Sequence, residues 1–239
     1  MLDFSSLKIA VGGGMAVQKA TAEKWLALTG TPLAEGYGLT ETSPVASCNP
    51  IDGTERNGTI GLPLPNTEMM VIDDEGNILP VGERGEICIK GPQVMKGYWH
   101  RPKETAEVMM GDWFKSGDIG MMDKDGFTKI VDRKKEMILV SGFNVYPNEV
   151  EDVIASYPGV LEVGVIGIPD DKSTERVVAY VVLKDKSITK EQIIAHCHES
   201  LTNYKCPKEV HFTDELPKSN VGKILRRLIK EAHIEKKGK

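Results

Sequence analysis

The order of element types in the first 30 residues is the feature that most constrains the fold of this chain. An apolar run, Leu7–Val11, leads into the triple glycine Gly12–Gly14, and residues 16–29 then carry apolar side chains at helical spacing. Gly30 follows as a helix stop, because glycine readily takes the left-handed conformation that ends a helix. A strand, a glycine turn and a helix indicate an α/β fold. Since such a fold needs earlier strands to pair with the first one, we expect a preceding N-terminal portion.

From about residue 58 to residue 132 the pattern changes to short β-type runs separated by turn residues. The pair Asp125-Gly126 between two of these runs favours a hairpin turn. The pattern predicts a meander or a small β-barrel. The runs are Met69–Asp73, Glu86–Lys90, Ile119–Met122 and Phe127–Val131.

Helix and strand signals alternate after the polar cluster Asp132–Lys135, which is the predicted linker. Pro147 fits the first turn of one helix, and Thr189 opens a second helix through a capping box with Gln192. A third helix is predicted over Ile224–Ile234. The β-rich runs of this region are Val160–Ile168, Val177–Leu183 and Val210–Thr213.

The predicted fold is therefore of mixed α/β and α+β class in two parts. Residues 1–132 form the C-terminal part of a large domain, with an α/β piece over 1–57 and a barrel-like piece over 58–132. Residues 133–239 form a compact α+β domain of ordinary size.

Composition and charge exclude several classes of protein. The net charge of −5 argues against non-specific nucleic-acid binding, which needs a basic face. No apolar run approaches the roughly 20 residues that span a bilayer, and residues 1–16 lack a signal-peptide pattern. The four cysteines have no zinc-site or disulfide spacing, and His196 and His198 beside Cys197 face different sides of a helix. We expect free thiols, no metal at these histidines and a cytoplasmic location.

Several segments carry side chains suited to nucleotide chemistry. Gly36–Thr42 places Tyr37 between two glycines and follows it with a hydroxyl and a carboxylate, a set that can stack a base and hold magnesium. Asp118 and Arg133 end β-type runs and could grip ribose hydroxyls. Lys223 follows a glycine in a polar loop and can reach a phosphate as a point charge. By spacing alone each segment also fits a structural role, as a capped loop, a surface ion pair or a solvated lysine.

Two further features leave alternatives open. The triple glycine could approach a nucleotide or form a tight turn, but Val17 stands where the dinucleotide fingerprint needs glycine, which excludes a Rossmann oxidoreductase. The tail from Lys218 to Lys239 has eight Lys and Arg and two Glu, a local charge of +6. Such a tail could contact a phosphorylated cofactor or an anionic membrane surface, or form the solvated face of a last helix.

Taken in this order, the motifs resemble the adenylate-forming superfamily of acyl-CoA ligases, luciferases and peptide-synthetase adenylation domains over essentially the whole chain. Gly36–Thr42 is similar to the tyrosine-glycine-x-threonine-glutamate loop of that family, and Trp113–Asp118 to its threonine-glycine-aspartate motif. Gly85–Gly91 with Gly97–Trp99 is similar to its Gly-Glu-containing barrel strand, and Lys218–Lys223 to its terminal lysine loop. The stretches that resemble bacterial long-chain fatty-acid–CoA ligases in particular are Gly111–Val140, Ser141–Glu149 and Leu201–Lys208.

The resemblance implies a nucleoside-binding set. Gly14, Met15 and the Tyr37–Gly38 pair would border the adenine, and Asp118 and Arg133 would bind the ribose. The family often has His-Thr before Gly-Asp, and this chain has Lys-Ser there. Since serine keeps the hydroxyl, we expect little effect.

The resemblance also implies a reacting set, in which the catalytic residues are Thr40, Glu41 and Lys223. Thr40 would hydrogen-bond the phosphate, Glu41 would hold the magnesium ion, and Lys223 would contact the α-phosphate and the acyl carboxylate. Lys135 would be the hinge of a mobile C-terminal domain, and the loop at Gly142 would line the pantetheine tunnel.

The implied activity is that of an ATP-dependent, AMP-forming long-chain fatty-acid–CoA ligase. The implied ligands are ATP and AMP, Mg²⁺, coenzyme A and a fatty acid, and no nucleic-acid partner is implied. The basic tail could place the protein in peripheral contact with the inner membrane. The Ser/Thr/Gly-rich phosphate loop of the family has no match in these residues. We therefore expect that the chain alone does not catalyse adenylation. Two alternatives stay open: a ligase for medium-chain or aryl acids, and a non-catalytic nucleotide- or partner-binding module from a truncated gene.

Overall fold

The computed structural model describes residues 2–14, 17, 19–220 and 222–237. It divides into two compact units, of which the first ends at Val131 and the second begins at Asp132. No helix within the described ranges is long and apolar enough to cross a membrane.

The first unit begins with a four-stranded sheet in the order β1-β2-β3-β4. Its first two strands are parallel and are joined by a helix, which confirms the α/β character predicted from the first 30 residues. The elements are β1 (Ala10–Gly13), α1 (Lys19–Thr29), β2 (Leu33–Gly38), β3 (Val45–Cys48) and β4 (Leu62–Pro63).

The first strand lies later in the sequence than Leu7–Val11, the predicted run. It begins at Ala10 and includes two of the three glycines, because Gly12 pairs with Glu35 and Gly13 pairs with Gly36 in the parallel ladder. The predicted helix stop is confirmed, since Gly30 has a φ of +71° and its N–H donates to Leu26 O at 2.8 Å.

A five-stranded sheet occupies the region predicted as a meander or small barrel. Four of its strands follow the order β5-β6-β8-β7, and the remaining strand, β9, also pairs with β8. The predicted hairpin at Asp125-Gly126 is present, with Asp123 N–H donating to Phe127 O at 2.9 Å. The elements are β5 (Glu68–Ile72), β6 (Arg84–Lys90), α2 (Pro102–Val108), β7 (Met109–Met110), β8 (Trp113–Met122) and β9 (Thr128–Arg133).

The second unit is an α+β fold around a third sheet in the order β11-β10-β13-β12, with β14 parallel to β13. The predicted capping box opens the fourth helix, where Thr189 Oγ1 accepts from Gln192 N and Gln192 Oε1 accepts from Thr189 N. The elements are β10 (Ile138–Val140), β11 (Phe143–Val145), α3 (Pro147–Ala155), β12 (Val160–Asp170), β13 (Thr174–Leu183), α4 (Lys190–Ser200), β14 (Glu209–Phe212) and α5 (Arg226–Lys237).

The core of the second unit lies on both faces of the β12–β13 hairpin. Successive side chains of a strand point to opposite faces, so Val177 and Val181 join one apolar cluster and Val178 and Val182 another. The first cluster also holds α3 and α4 residues, and the second holds Ile229 of α5. Burial on both faces explains why β13 is almost continuously apolar.

Replacement of Ile154, which is fully buried on α3, should destabilise the second unit. We expect Ile154→Ala to lower the free energy of unfolding by about 2–5 kcal/mol, because a cavity replaces the lost contacts. Ile234→Ala is the matched control, since Ile234 is 51% exposed on α5. Urea unfolding of both variants checks this, and equal losses would contradict the assigned core.

Candidate nucleotide site

The loop after β2 is held by contacts that only glycine permits at position 38. A Cβ on Gly38 would lie 1.7 Å from Pro44 O, so no other residue fits without movement of the backbone. Thr42 Oγ1 accepts from Leu39 N at 2.9 Å and donates to Pro44 O at 2.7 Å. The loop is thereby closed on itself, with Thr40 exposed at its tip.

Tyr37 and Asp118, two residues that the sequence assigned to the nucleoside, lie in direct contact. The Tyr37 hydroxyl donates to Asp118 Oδ2 at 2.6 Å, across 81 residues of sequence. Both side chains are buried, at 9% and 3% exposure. The bond joins the four-stranded sheet to the five-stranded sheet and brings the two predicted ligands to one place.

Asp118 is oriented by a turn inside β8. Gly117 has a φ of +71°, and its N–H donates to Glu86 Oε1 at 3.1 Å. Ser116 Oγ accepts from Asp118 N at 3.1 Å and donates to Ile87 O at 2.8 Å. The Ser116 hydroxyl, which replaces the threonine hydroxyl of the family motif, therefore holds the backbone of Asp118 in place. Neither Ser116 nor Glu86 was among the predicted site residues, although both lie inside the quoted motifs.

Glu41, the predicted magnesium ligand, is paired with Tyr98 of the segment before α2. The Tyr98 hydroxyl donates to Glu41 Oε1 at 2.7 Å, and Met95 N donates to Glu41 O at 2.8 Å. The hydrogen bond to Glu41, with some burial and the negative charge, raises the pKa of Tyr98 to about 12. Tyr98 lies in a quoted motif, but nothing in its spacing linked it to Glu41.

Gly14 and Tyr37 lie at the same edge of the first sheet, where two parallel strands end. Gly13 pairs with Gly36 at these ends, and Gly14 follows with a φ of +81° and an exposed backbone. The carboxyl ends of parallel strands are the usual place for a ligand in an α/β sheet. Met15, also predicted to border the adenine, lies outside the described residues.

Lys223 lies in a short hairpin loop at the start of the last helix. Ser219 N donates to Lys223 O at 2.8 Å, and Lys223 N donates to Ser219 Oγ at 3.2 Å. Lys218 and Ile224 form a bridge below the turn. The Lys223 side chain is exposed.

The other predicted residues of the second unit lie near its first strands. Arg133 is half-buried at the end of β9, Lys135 is exposed in a short 3-10 turn, and Gly142 forms the β10–β11 turn with a φ of +85°. Asp132, the first residue of the predicted linker, is 1% exposed, and its carboxylate is bonded within the second unit.

Asp132 belongs to a buried ion cluster centred on Arg226. Arg226 Nε lies 2.7 Å from Glu151 Oε1, and Nη1 lies 3.2 Å from Asp132 Oδ1. Glu136 and Asn148 also bind the guanidinium. Burial opposes the charge of Arg226, but the hydrogen bonds and charges of Glu151 and its neighbours raise the pKa of the guanidinium above its usual value. Nothing in the sequence distinguished Arg226 from the other basic residues of the tail.

The burial of Asp132 also affects its own ionisation. Burial raises the pKa of this carboxyl, and the charge of Arg226 and the N–H groups of Asn148 and Arg133 oppose that rise. Burial prevails because removal from water disfavours the charged form of a carboxyl group.

Comparison with known proteins identifies the class of this chain. The model of the AMP-binding enzyme family matches residues 1–99, and that of the AMP-binding enzyme C-terminal domain matches residues 149–223. Together they account for more than half of the sequence, and the chain belongs to the AMP-binding enzyme family. The resemblance predicted from the motifs is confirmed.

The similar curated proteins include bacterial ligases. The chain is 56% identical over 230 residues to a long-chain-fatty-acid–CoA ligase of Escherichia coli O6:H1, covering 96% of this chain and 41% of that protein. It is 44% identical over 236 residues to a Bacillus subtilis protein of the same name, covering 98% and 42%. The chain thus spans about two fifths of the length of these relatives.

Two of the similar solved structures contain a bound nucleotide or an acyl-adenylate. ATP-bound MatB from Rhodopseudomonas palustris matches with a TM-score of 0.89 and 37% identity, covering 94% of this chain and 45% of that one. The anthranilate CoA ligase AuaEII in complex with anthranoyl-AMP matches with a TM-score of 0.82 and 33% identity, covering 96% and 45%.

The contact between Tyr98 and Glu41 predicts a change in tyrosine ionisation. Glu41→Gln should lower the pKa of Tyr98 from about 12 towards its ordinary value of 10.0, because the negative acceptor is removed. The contact favours the protonated phenol, so its contribution to stability is present below pH 10.0 and is lost as the pH rises towards about 12. Titration of ¹³C-labelled tyrosine by NMR, with Tyr98→Phe to assign the signal, measures the shift. An unchanged pKa would rule out the contact.

Proposed function

We propose that this chain is part of an ATP-dependent long-chain fatty-acid–CoA ligase that forms an acyl-adenylate and then transfers the acyl group to coenzyme A. The observation that carries the proposal is the 56% identity over 96% of the chain to relatives named as such ligases. Its support in the structure is the pairing of Tyr37 with Asp118, because it gathers two predicted nucleoside ligands in one buried contact.

In the proposed reaction most of the residues that bind the nucleoside belong to the first unit. The Tyr37 ring would lie against the adenine at the strand edge beside Gly14 and Gly38, while Asp118 accepts hydrogen bonds from the ribose hydroxyls. Arg133 would bind the ribose as well. Since Tyr37 and Ser116 already fix the Asp118 carboxyl group and backbone, little ordering is left for the moment of binding.

Glu41 and Thr40 fit the needs of a magnesium ion. Mg²⁺ in nucleotide sites is usually held by one or two carboxylates, with phosphates and waters completing its shell. Glu41 Oε1 is occupied by Tyr98, and Oε2 enters none of the hydrogen bonds among the described residues. Thr40 would donate to a phosphate oxygen. When bound, the ion would offset negative charge on the phosphates.

The second unit would supply the residues that act at the reacting atoms. A fatty-acid carboxylate attacks the α-phosphate, and pyrophosphate leaves. Lys223 would offset the charge that gathers on the α-phosphate oxygens in this step. In the second step the coenzyme A thiol, having lost its proton, attacks the acyl carbon and AMP leaves. The turn at Gly142 would line the path of the pantetheine arm, and Lys135 would be the hinge.

The proposal includes the surroundings of the enzyme. The substrates are ATP, coenzyme A and a fatty acid, and the location is the cytoplasm. Peripheral contact with the inner membrane is supported by the basic tail, in which Arg227 is exposed on α5. Such side chains are attracted to anionic lipid headgroups.

A chimera tests the proposed reaction. The N-terminal part of the E. coli relative that this chain does not cover is joined to the chain, and palmitoyl-CoA formation and palmitate-dependent ATP–pyrophosphate exchange are measured. We expect both activities, and Lys223→Ala should lower the exchange by about 100-fold or more, since a preorganised charge is lost from the transition state. Lys186→Ala is the control, because that lysine is paired on the surface and 83% exposed.

The same chimera separates the two half-reactions and the choice of acid. Gly142→Leu should retain the exchange and lose palmitoyl-CoA formation, because a side chain would enter the pantetheine path. A preference for benzoate or octanoate over palmitate would instead support a ligase for aryl or medium-chain acids. Full exchange by Lys223→Ala would sink the assigned role of Lys223.

The chain by itself should give no ATP–pyrophosphate exchange with palmitate. The sequence has no match to the phosphate loop of the family, so the β- and γ-phosphates lack their backbone cradle. Equilibrium dialysis with labelled ATP provides a second readout. Robust exchange by the purified chain would contradict the expectation, and tight nucleotide binding without exchange would favour a non-catalytic binding module.

A further inference from the structure

Arg226 holds both sides of Lys135, the predicted hinge residue. Asp132 lies three residues before Lys135, Glu136 lies one residue after it, and both carboxylates bind the same guanidinium nitrogen, Nη1. The short turn between them cannot swing outward unless at least one of these bonds breaks. The segment Asp132–Glu136, here called the turn segment, is therefore closed by Arg226.

The same guanidinium binds α3. Its Nε and Nη2 contact both oxygens of Glu151 at 2.7 and 2.5 Å, and Nη2 also binds Asn148. Glu151 Oε1 accepts from Val165 N on β12 at 2.8 Å, and Asp132 Oδ2 accepts from Asn148 N at 2.7 Å. The cluster thus ties the turn segment to the rigid body of the second unit.

Arg226 also follows directly on the loop that carries Lys223. Leu225 N donates to Pro217 O at 2.8 Å, and Lys218 pairs with Glu162 of β12. The described residues from Pro217 to Leu225, which leave out position 221 and are here called the lysine loop, therefore end one residue before the cluster. Displacement of Arg226 would release the loop at the end nearest to Lys223.

The negative charges around Arg226 make the closed turn segment depend on the guanidinium. Three carboxylates, those of Asp132, Glu136 and Glu151, face one cation whose side chain is only 14% exposed. Without that cation, like charges remain close together in a poorly solvated place, and their repulsion drives the turn segment into water. A lysine supplies the charge but not the planar fork that bridges several carboxylates.

We propose that Arg226 is a positioning residue that holds the turn segment around Lys135 and the lysine loop around Lys223 as one rigid piece of the second unit. The geometry assigns it no contact with substrate. A catalytic role for Arg226 rests on the proposed function, in which Lys223 contacts the α-phosphate. The coupling between the turn segment and the lysine loop does not rest on that function.

Hydrogen exchange of the full chain tests the coupling without any substrate. In Arg226→Ala we expect the amides of Lys134–Met137 and of the lysine loop to exchange at least about 10-fold faster than in the unsubstituted chain. The amides that pair between β12 and β13 should change by less than about 2-fold, because their pairing does not involve Arg226. Val165 is left out of this comparison, since its N–H donates to Glu151. Arg227→Ala is the matched control, since its side chain is 78% exposed and pairs only with Glu231 among the described residues.

Chemical rescue separates the guanidinium from a general effect on stability. Millimolar methylguanidinium added to Arg226→Ala should restore slow exchange in both segments, and methylammonium at the same ionic strength should not. Faster exchange in only one segment, in neither, or equally throughout the second unit would overturn the proposal, as would equal rescue by both ions.

Glu136→Gln provides a milder variant in case Arg226→Ala does not fold. It weakens one arm of the cluster, so exchange should rise in Lys134–Met137 while the lysine loop stays protected. Loosening of the lysine loop alone would overturn the assigned order of contacts. Because none of these readouts needs ATP, an inactive chimera would count against the proposed function and leave the coupling to stand or fall on exchange alone.

Discussion

The candidate site depends on the hydrogen bond from Tyr37 to Asp118. It joins two sheets that are far apart in sequence. The Tyr37 ring packs in one apolar cluster with Ile87, Ile89 and Phe114 of the five-stranded sheet. A buried hydroxyl needs a partner, because an unsatisfied polar group costs about 1–3 kcal/mol. Packing of the two sheets therefore places the Tyr37 hydroxyl against the Asp118 carboxylate, and this contact of the candidate site is part of the packing of the fold.

Much of this arrangement could be predicted because it is local. The glycine stop of α1, the Asp125-Gly126 hairpin and the Thr189 capping box each depend on residues a few positions apart, and all three are present. The family motifs pointed to residues that the structure brings together, as with Tyr37 and Asp118. In each case the signal was the residue type at a fixed short spacing.

The contacts that could not be predicted join residues far apart in the chain. Tyr98 and Glu41 are separated by 57 positions, and Arg226 and Asp132 by 94. No short pattern encodes such pairs, because the sheets decide which side chains meet. The first strand was misplaced for a related reason. Glycine is depleted in strands, so the sequence pattern places the end of the strand before Gly12. Parallel pairing with β2 nevertheless extends β1 through Gly12 and Gly13.

The Arg226 cluster has a consequence for the folding of the second unit. Asp132, Glu136 and Glu151 come early in this unit, and their counter-charge comes only with the last helix. A partly folded form without α5 would hold three carboxylates against one another with nothing to offset them. We therefore expect such an intermediate to be poorly populated at neutral pH and folding of the second unit to be more nearly all-or-none. Acid would neutralise the carboxylates and relieve this repulsion, so a compact form without docked α5 becomes more accessible as the pH falls.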